Sequence, residues 1–138
     1  MTITELYELV GQYSLAATGV ASYYPRSPFI AWQEREVDYT SVSFVVENMT
    51  ERDDCFEVDA IIYAGDRLMQ DGSNFITIQD ETAAILRTVI NGLRNDDQIV
   101  DVQSDYTIEF FSQRLSDYLA GCWARIVILI PNDPCFEV

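Results

Sequence analysis

Carboxylates are the abundant reactive groups of this chain. Asp53-Asp54, Asp80-Glu81 and Asp96-Asp97 are adjacent pairs, and Asp101 stands near Asp105. Paired carboxylates can run general acid–base chemistry or hold a divalent cation. These pairs fall at expected loop tips and helix ends, where acids solvate the chain and offset the helix dipole. Asp80-Glu81 lies early in an expected helix and has the same explanation. The surrounding residue types exclude much else. There is no histidine, and all 8 basic residues are arginine. Ser-His-Asp and Cys-His relays are therefore impossible, as are the zinc sets that include histidine. Without lysine there is no Schiff base and no phosphate-gripping P-loop. Asp71-Gly72-Ser73-Asn74 suggests a calcium loop, but its glycine stands second and no glutamate closes it. The cysteines, Cys55, Cys122 and Cys135, are odd in number and lack C-x-x-C spacing. They read as small apolar residues of a reducing compartment. Cys122 lies in an apolar segment, and Cys135 is expected nearer the surface. No catalytic residue, cofactor or metal ligand is expected.

Charge points toward partners. The chain carries 23 acidic residues against 8 basic ones, a net charge of −15. Such a surface repels phosphate, which excludes wrapping duplex DNA with a basic patch. It suits an acidic wall that nucleic acid slides past, and it also serves plain solubility. Arginine as the sole base matters because its fork grips carboxylates and is favoured at interfaces. Arg67, Arg114 and Arg125 can pair with acids of a neighbouring copy, or with acids of their own chain. Trp32 and Trp123 are of a type that mostly fills cores.

These groups need elements to hold them. Thr2 with Glu5 makes a capping box, and Leu6, Val10, Tyr13 and Ala17 follow at helical spacing. A first helix is expected over residues 2–17, ended by Gly19. Residues 20–40 contain Pro25 and Pro28 and no period, so an irregular connection is expected, with a short extended piece near Phe29 to Trp32. Val42, Phe44 and Val46 alternate in a strand over residues 41–47. Phe56, Val58, Ala60 and Ile62 alternate in another over residues 55–63, with Glu57 and Asp59 on its reverse. That alternation marks a sheet buried on one side. Asn48 to Asp54 reads as the tip of a long hairpin. After the turn at residues 71–74, Ile78, Thr82, Ile85, Val89 and Leu93 make a helical stripe, widened by Leu86 and Ile90. Each aliphatic member contributes about 1.5–3 kcal/mol on burial, before entropy. Residues 98–102 and 106–111 are expected to pair with each other. Residues 121–130 form the strongest strand, apolar on both faces, and therefore central or covered by a partner. Pro131 and Pro134 end it.

The whole reads as one domain over residues 1–138, of α+β class. An antiparallel sheet carries helices on one face, in the order α-β-β-α-β-β-β. With 49% hydrophobic residues the chain is too apolar for disorder. Its longest apolar run, Ile126 to Ile130, is far short of the ~20 residues of a membrane span. The start lacks a basic n-region, so a soluble protein made in a cytosol is expected.

Two stretches carry a family resemblance. One is Ile61 to Leu68 (IIYAGDRL) with Asp71 to Asn74 and the long helix after it. The other is Ser104 to Thr107 followed by Phe111 to Asn132. Over about residues 55 to 133 the chain resembles small structural proteins of bacteriophages of gut Bacteroidetes, the crAss-like phages among them. Within that group it is similar to tail-terminator and tail-completion proteins. The resemblance implies an α+β fold built on an antiparallel sheet. It also implies a homo-oligomeric ring, of roughly six or twelve copies, at the head–tail junction of the virion. Portal, connector or tail proteins would flank it, and DNA would pass through without specific binding. No individual residue role follows from it.

Three function classes stand. In the first, the chain is a ring component made in the host bacterial cytoplasm. The hairpin tip at Arg52, Asp53 and Asp54 then reaches a neighbour, with Arg67, Arg114, Trp123 and Arg125 as further interface candidates. In the second, an acidic inhibitor mimics DNA and binds a host nucleic-acid-binding protein. In the third, an enzyme uses carboxylates with a divalent metal.

Overall fold

A computed structural model describes residues 1–33, 37–114 and 118–132, and the side chains of residues 113 and 114 lie outside that description. The capping box forms as the spacing requires: the Glu5 N–H donates to Thr2 Oγ1 at 3.1 Å, and the Thr2 N–H donates to Glu5 Oε1 at 3.0 Å. It starts α1, Ile3–Ala16, which buries Leu6, Leu9 and Val10. The chain then turns through Gly19, whose φ of 90° favours glycine.

The region expected to be irregular holds two short elements. The first is β1, Ser22–Tyr24. The second is α2, Pro28–Ala31, where an extended piece was expected. Ser27 caps it, accepting from the Phe29 N–H, and Pro28 sits at the first turn, where its missing N–H costs nothing.

The long hairpin runs further than the apolar alternation reaches. Its arms are β2, Ser41–Glu51, and β3, Cys55–Arg67. Only Arg52 to Asp54 turn, closed by the Arg52 N–H on the Cys55 carbonyl at 2.8 Å. The long tip expected from Asn48 onward is therefore mostly ladder, with a bulge between Val46 and Asn48. The amphipathic helix follows as α3, Phe75–Arg94, and buries Ile78, Thr82, Ile85, Leu86, Val89, Ile90 and Leu93, the stripe that the spacing marks out.

The last third supplies β4, Asp101–Val102, β5, Ile108–Arg114, and β6, Tyr118–Pro131. β4 and β5 do not pair with each other as expected. Both lie along one edge of β6, opposite residues 128–129 and 118–124 respectively. A strand of 14 residues has room for two short partners end to end. β6 is central, because its other edge pairs with β3 over its full length.

The six-stranded sheet has the order β1-β2-β3-β6-β4, with β5 also on β6. The fold is α+β, but the sheet is mixed, because β1 pairs with β2 in parallel. α1 and α3 cover one face over a core that includes Phe44, Ile62, Ile126 and Ile128. α2 lies on the opposite face, where Trp32, Ala31, Val37 and Leu119 form a second, smaller cluster. No helix among the described residues is long and apolar enough to cross a membrane.

Candidate protein interface

Strand alternation decides which residues meet on that second face. Ile62 and Ala124 point into the helix-covered core, so Ile61, Tyr63, Trp123 and Arg125 point the other way. The β3–β6 register sets Tyr63 opposite Trp123 and Ile61 opposite Arg125. The Tyr63 and Trp123 rings lie 6.5 Å apart at 38°. The Arg125 guanidinium sits 5.8 Å from the Trp123 ring centroid, within cation–π reach. Its Nη1 is also 3.2 Å from Glu47 Oε1. Glu47 is the bulge residue of β2, and a bulge re-aims a side chain in this way.

Trp32 builds the back wall. Its indole N–H donates to Ser41 Oγ at 3.0 Å, and the ring stacks on Phe111 at 6.3 Å and 29°. It approaches β3 closely because residue 65 is a glycine: a Cβ there would come within 2.7 Å of the indole. Across the ladder from Gly65, a Cβ on Gly121 would collide with the Ala64 carbonyl oxygen. Gly65 thus makes room for the tryptophan, while Gly121 lets the two strands approach closely. Beside Trp32 is a cleft of about 260 Å³ that Pro28 and Phe29 line from α2, and Ile61, Tyr63, Leu119 and Trp123 from the sheet. Phe29 is half exposed at its mouth, and Arg125 is the charged residue lining it.

Electrostatics at the cleft follow from burial. Desolvation pushes the Tyr63 phenol above its ordinary range, the Glu47 charge adds to this, and Arg125 opposes it. Tyr63 is a neutral group at physiological pH, able to donate a hydrogen bond from an aromatic wall.

The residues singled out from the sequence divide into two groups. Trp123 and Arg125 meet in the cleft. Arg67 ends β3 opposite Leu119, a cleft residue, and stacks over Tyr39 at 5.2 Å. Arg114 ends β5 opposite Tyr118, and its side chain lies outside the described residues. Arg52, Asp53 and Asp54 are the hairpin turn at the other end of the sheet, exposed, with Arg52 held by Glu57 at 3.3 Å. Sequence reading missed Tyr63, Glu47, Phe29 and Phe111. Alternation along β3 contains the signal for Tyr63, which is out of phase with Ile62. The positions of Phe29 and Phe111 depend on tertiary packing alone.

The remaining candidate groups are ordinary. Among the described residues no cluster of three or more cysteines and carboxylates is placed to hold a metal ion. The Asp71 carboxylate accepts from the Ser73 N–H at 3.0 Å, which lowers its pKa and explains the turn. Cys122 is buried and its thiol is pushed up to about 11, mainly by desolvation, so it is protonated and unreactive. Cys135 lies outside the described residues. No protein-family model and no curated protein matches the chain.

Proposed function

We propose that this chain is a structural assembly protein whose copies pack through the Tyr63–Trp123–Arg125 face into a ring at a phage head–tail junction. The phage setting comes from the family resemblance, and the assembly role is argued from the face itself. The observation that carries it is the adjacency of Trp, Tyr and Arg around an open apolar cleft, bordered by the carboxylate of Glu47. Those three residue types dominate the energetic centres of protein interfaces. Tyr63 and Trp123 are half-buried and Arg125 is exposed, so a partner seated on the face would complete their burial. The net charge of −15 fits a wall that passing DNA does not adhere to. Portal, connector or tail proteins are the natural neighbours, and the virion the natural location.

Size-exclusion chromatography with light scattering over a concentration series tests this reading. A discrete oligomer that Trp123→Ser dissociates, with the fold intact by circular dichroism, is the expected result. A strict monomer at every concentration, alone and with portal or tail proteins, would refute it.

A second reading has one observation in its favour. Residues 47–59 carry six carboxylates against one guanidinium, a net −5 on one hairpin. Such a row can imitate phosphates toward a host nucleic-acid-binding protein. It predicts capture of a nuclease or repressor that salt releases steeply.

A further inference from the structure

The turn end of the long hairpin is the more acidic end; at the cleft end Glu47 and Asp66 stand beside Arg125 and Arg67. The turn end is acidic, and its Arg52 is tied to Glu57. The other end of the same face carries Arg125 at the cleft and Arg67 opposite Leu119, each stacked on an aromatic ring. From Cys55 to Tyr63 the chain advances eight residues along β3, or roughly 26 Å. β3 is paired along both edges over that length. The turn therefore cannot fold back onto its own cleft, and any contact between the two joins different copies.

We infer that the acidic hairpin turn of one copy, Arg52 to Asp54, docks at the arginine-bearing mouth of the aromatic cleft of the next. This rests on the assembly reading above and states which surfaces meet. Asp53 and Asp54 are exposed, and the short turn that presents them is already closed by a backbone hydrogen bond, so little ordering is lost on docking. Arg125 is 64% exposed in its pair with Glu47. An exposed pair of this kind is weak, and its guanidinium can exchange one carboxylate for another or hold both. Glu47 and the exposed Glu109, which faces Trp123 across the ladder, border the mouth. The incoming acids must therefore displace Glu47 or share the guanidinium with it, which makes the contact selective for a well-placed turn. Two copies of net charge −15 repel at long range, and the local pairing of carboxylate with guanidinium fixes the orientation of the contact. The contact joins unlike patches, so it continues from copy to copy into a ring or filament and does not stop at a closed dimer.

Two variants with opposite lesions test it. Asp53→Ala with Asp54→Ala removes the turn charges, and Arg125→Glu reverses the cleft charge. Each alone should need at least about tenfold higher concentration to assemble than the unaltered chain. An equimolar mixture retains one intact turn facing one intact cleft and should give a discrete 1:1 dimer by light scattering. If the unaltered chain assembles and the turn variant assembles equally well, the inference is overturned while the assembly reading stands. If both variants are impaired but their mixture forms no dimer, the head-to-tail pairing is likewise overturned. An unaltered chain that is monomeric throughout removes both. Arg125→Ala replaces the charge reversal if thermal unfolding shows that Arg125→Glu disturbs the fold.

Discussion

Replacing Gly65 with alanine tests whether the Trp32 platform is built as described. The added Cβ would lie 2.7 and 2.8 Å from two atoms of the indole ring, so the ring must move by about 1 Å to reach ordinary contact distance. Trp32 is 1% exposed and has little room to move. Its N–H is bonded to Ser41 Oγ, and its ring is stacked on Phe111. Overpacking of this kind costs about 1–3 kcal/mol. Losing the buried hydrogen bond adds about 1 kcal/mol or more. The expected destabilisation is therefore about 2–4 kcal/mol, read as a lower urea midpoint with an unchanged slope. A midpoint drop alone would not identify the tryptophan, so the decisive assay is a double-mutant cycle. In a Trp32→Leu background the clashing ring atoms are gone, and Gly65→Ala should cost less than about 0.5 kcal/mol. Equal costs in both backgrounds would refute the platform.

Three further outcomes are expected. Thr2→Ala removes the α1 cap and should destabilise by about 1 kcal/mol, seen as a drop of a few degrees in melting temperature. Cys122 should make stability fall with alkali, because the folded chain holds the thiol proton up to about pH 11 while the unfolded chain releases it from about pH 9. The native state then binds more protons across that window, so stability declines as pH rises, and Cys122→Ala should flatten the decline measured between pH 9 and 10. Arg125→Ala should leave urea stability within about 1 kcal/mol, since its pair with Glu47 is exposed; a larger loss would mean that Arg125 holds the fold.

What was legible in the sequence follows from where the energy comes from. The α3 stripe could be read because seven positions bury on one helical face and no other pattern competes. The inner halves of β2 and β3 could be read for the same reason. So could the outer part of β3, where Phe56 and Val58 alternate with Glu57 and Asp59 and Val58 is buried; the outer half of β2 could not, because beyond Val46 it turns polar and is held by ladder hydrogen bonds, not by burial. β1 has three residues and a parallel partner, and such a pairing leaves no local trace. α2 did leave one, the Ser27-Pro28 start signal, but its four residues are too few to show a helical period. β5 read as a strand, but its choice of β6 over β4 is a matter of space along one long edge. Of the cleft, Trp123 and Arg125 stand out by type and Tyr63 by phase. Trp32 joins them through a contact that only the folded chain creates.

The sheet has edges as well as faces, and the edge along β2 is blunted. β1 covers β2 only as far as Ser43. Beyond it, the Val46 N–H is already taken by the Tyr7 hydroxyl at 2.8 Å, reaching over from α1. The bulge at Glu47 then breaks the ladder geometry, and Glu51 adds charge near the end of the strand. An occupied donor, a bulge and a charge are the devices by which native sheets avoid edge-to-edge growth. The second face has no comparable protection around Trp123: Glu47 reaches it only through an exposed pair, and the cleft beside it is open and apolar. On the assembly reading proposed above, a chain with a blunted β2 edge and an open apolar cleft would associate through side chains, where charge and shape select the partner, and not through backbone pairing along β2, which would accept any strand.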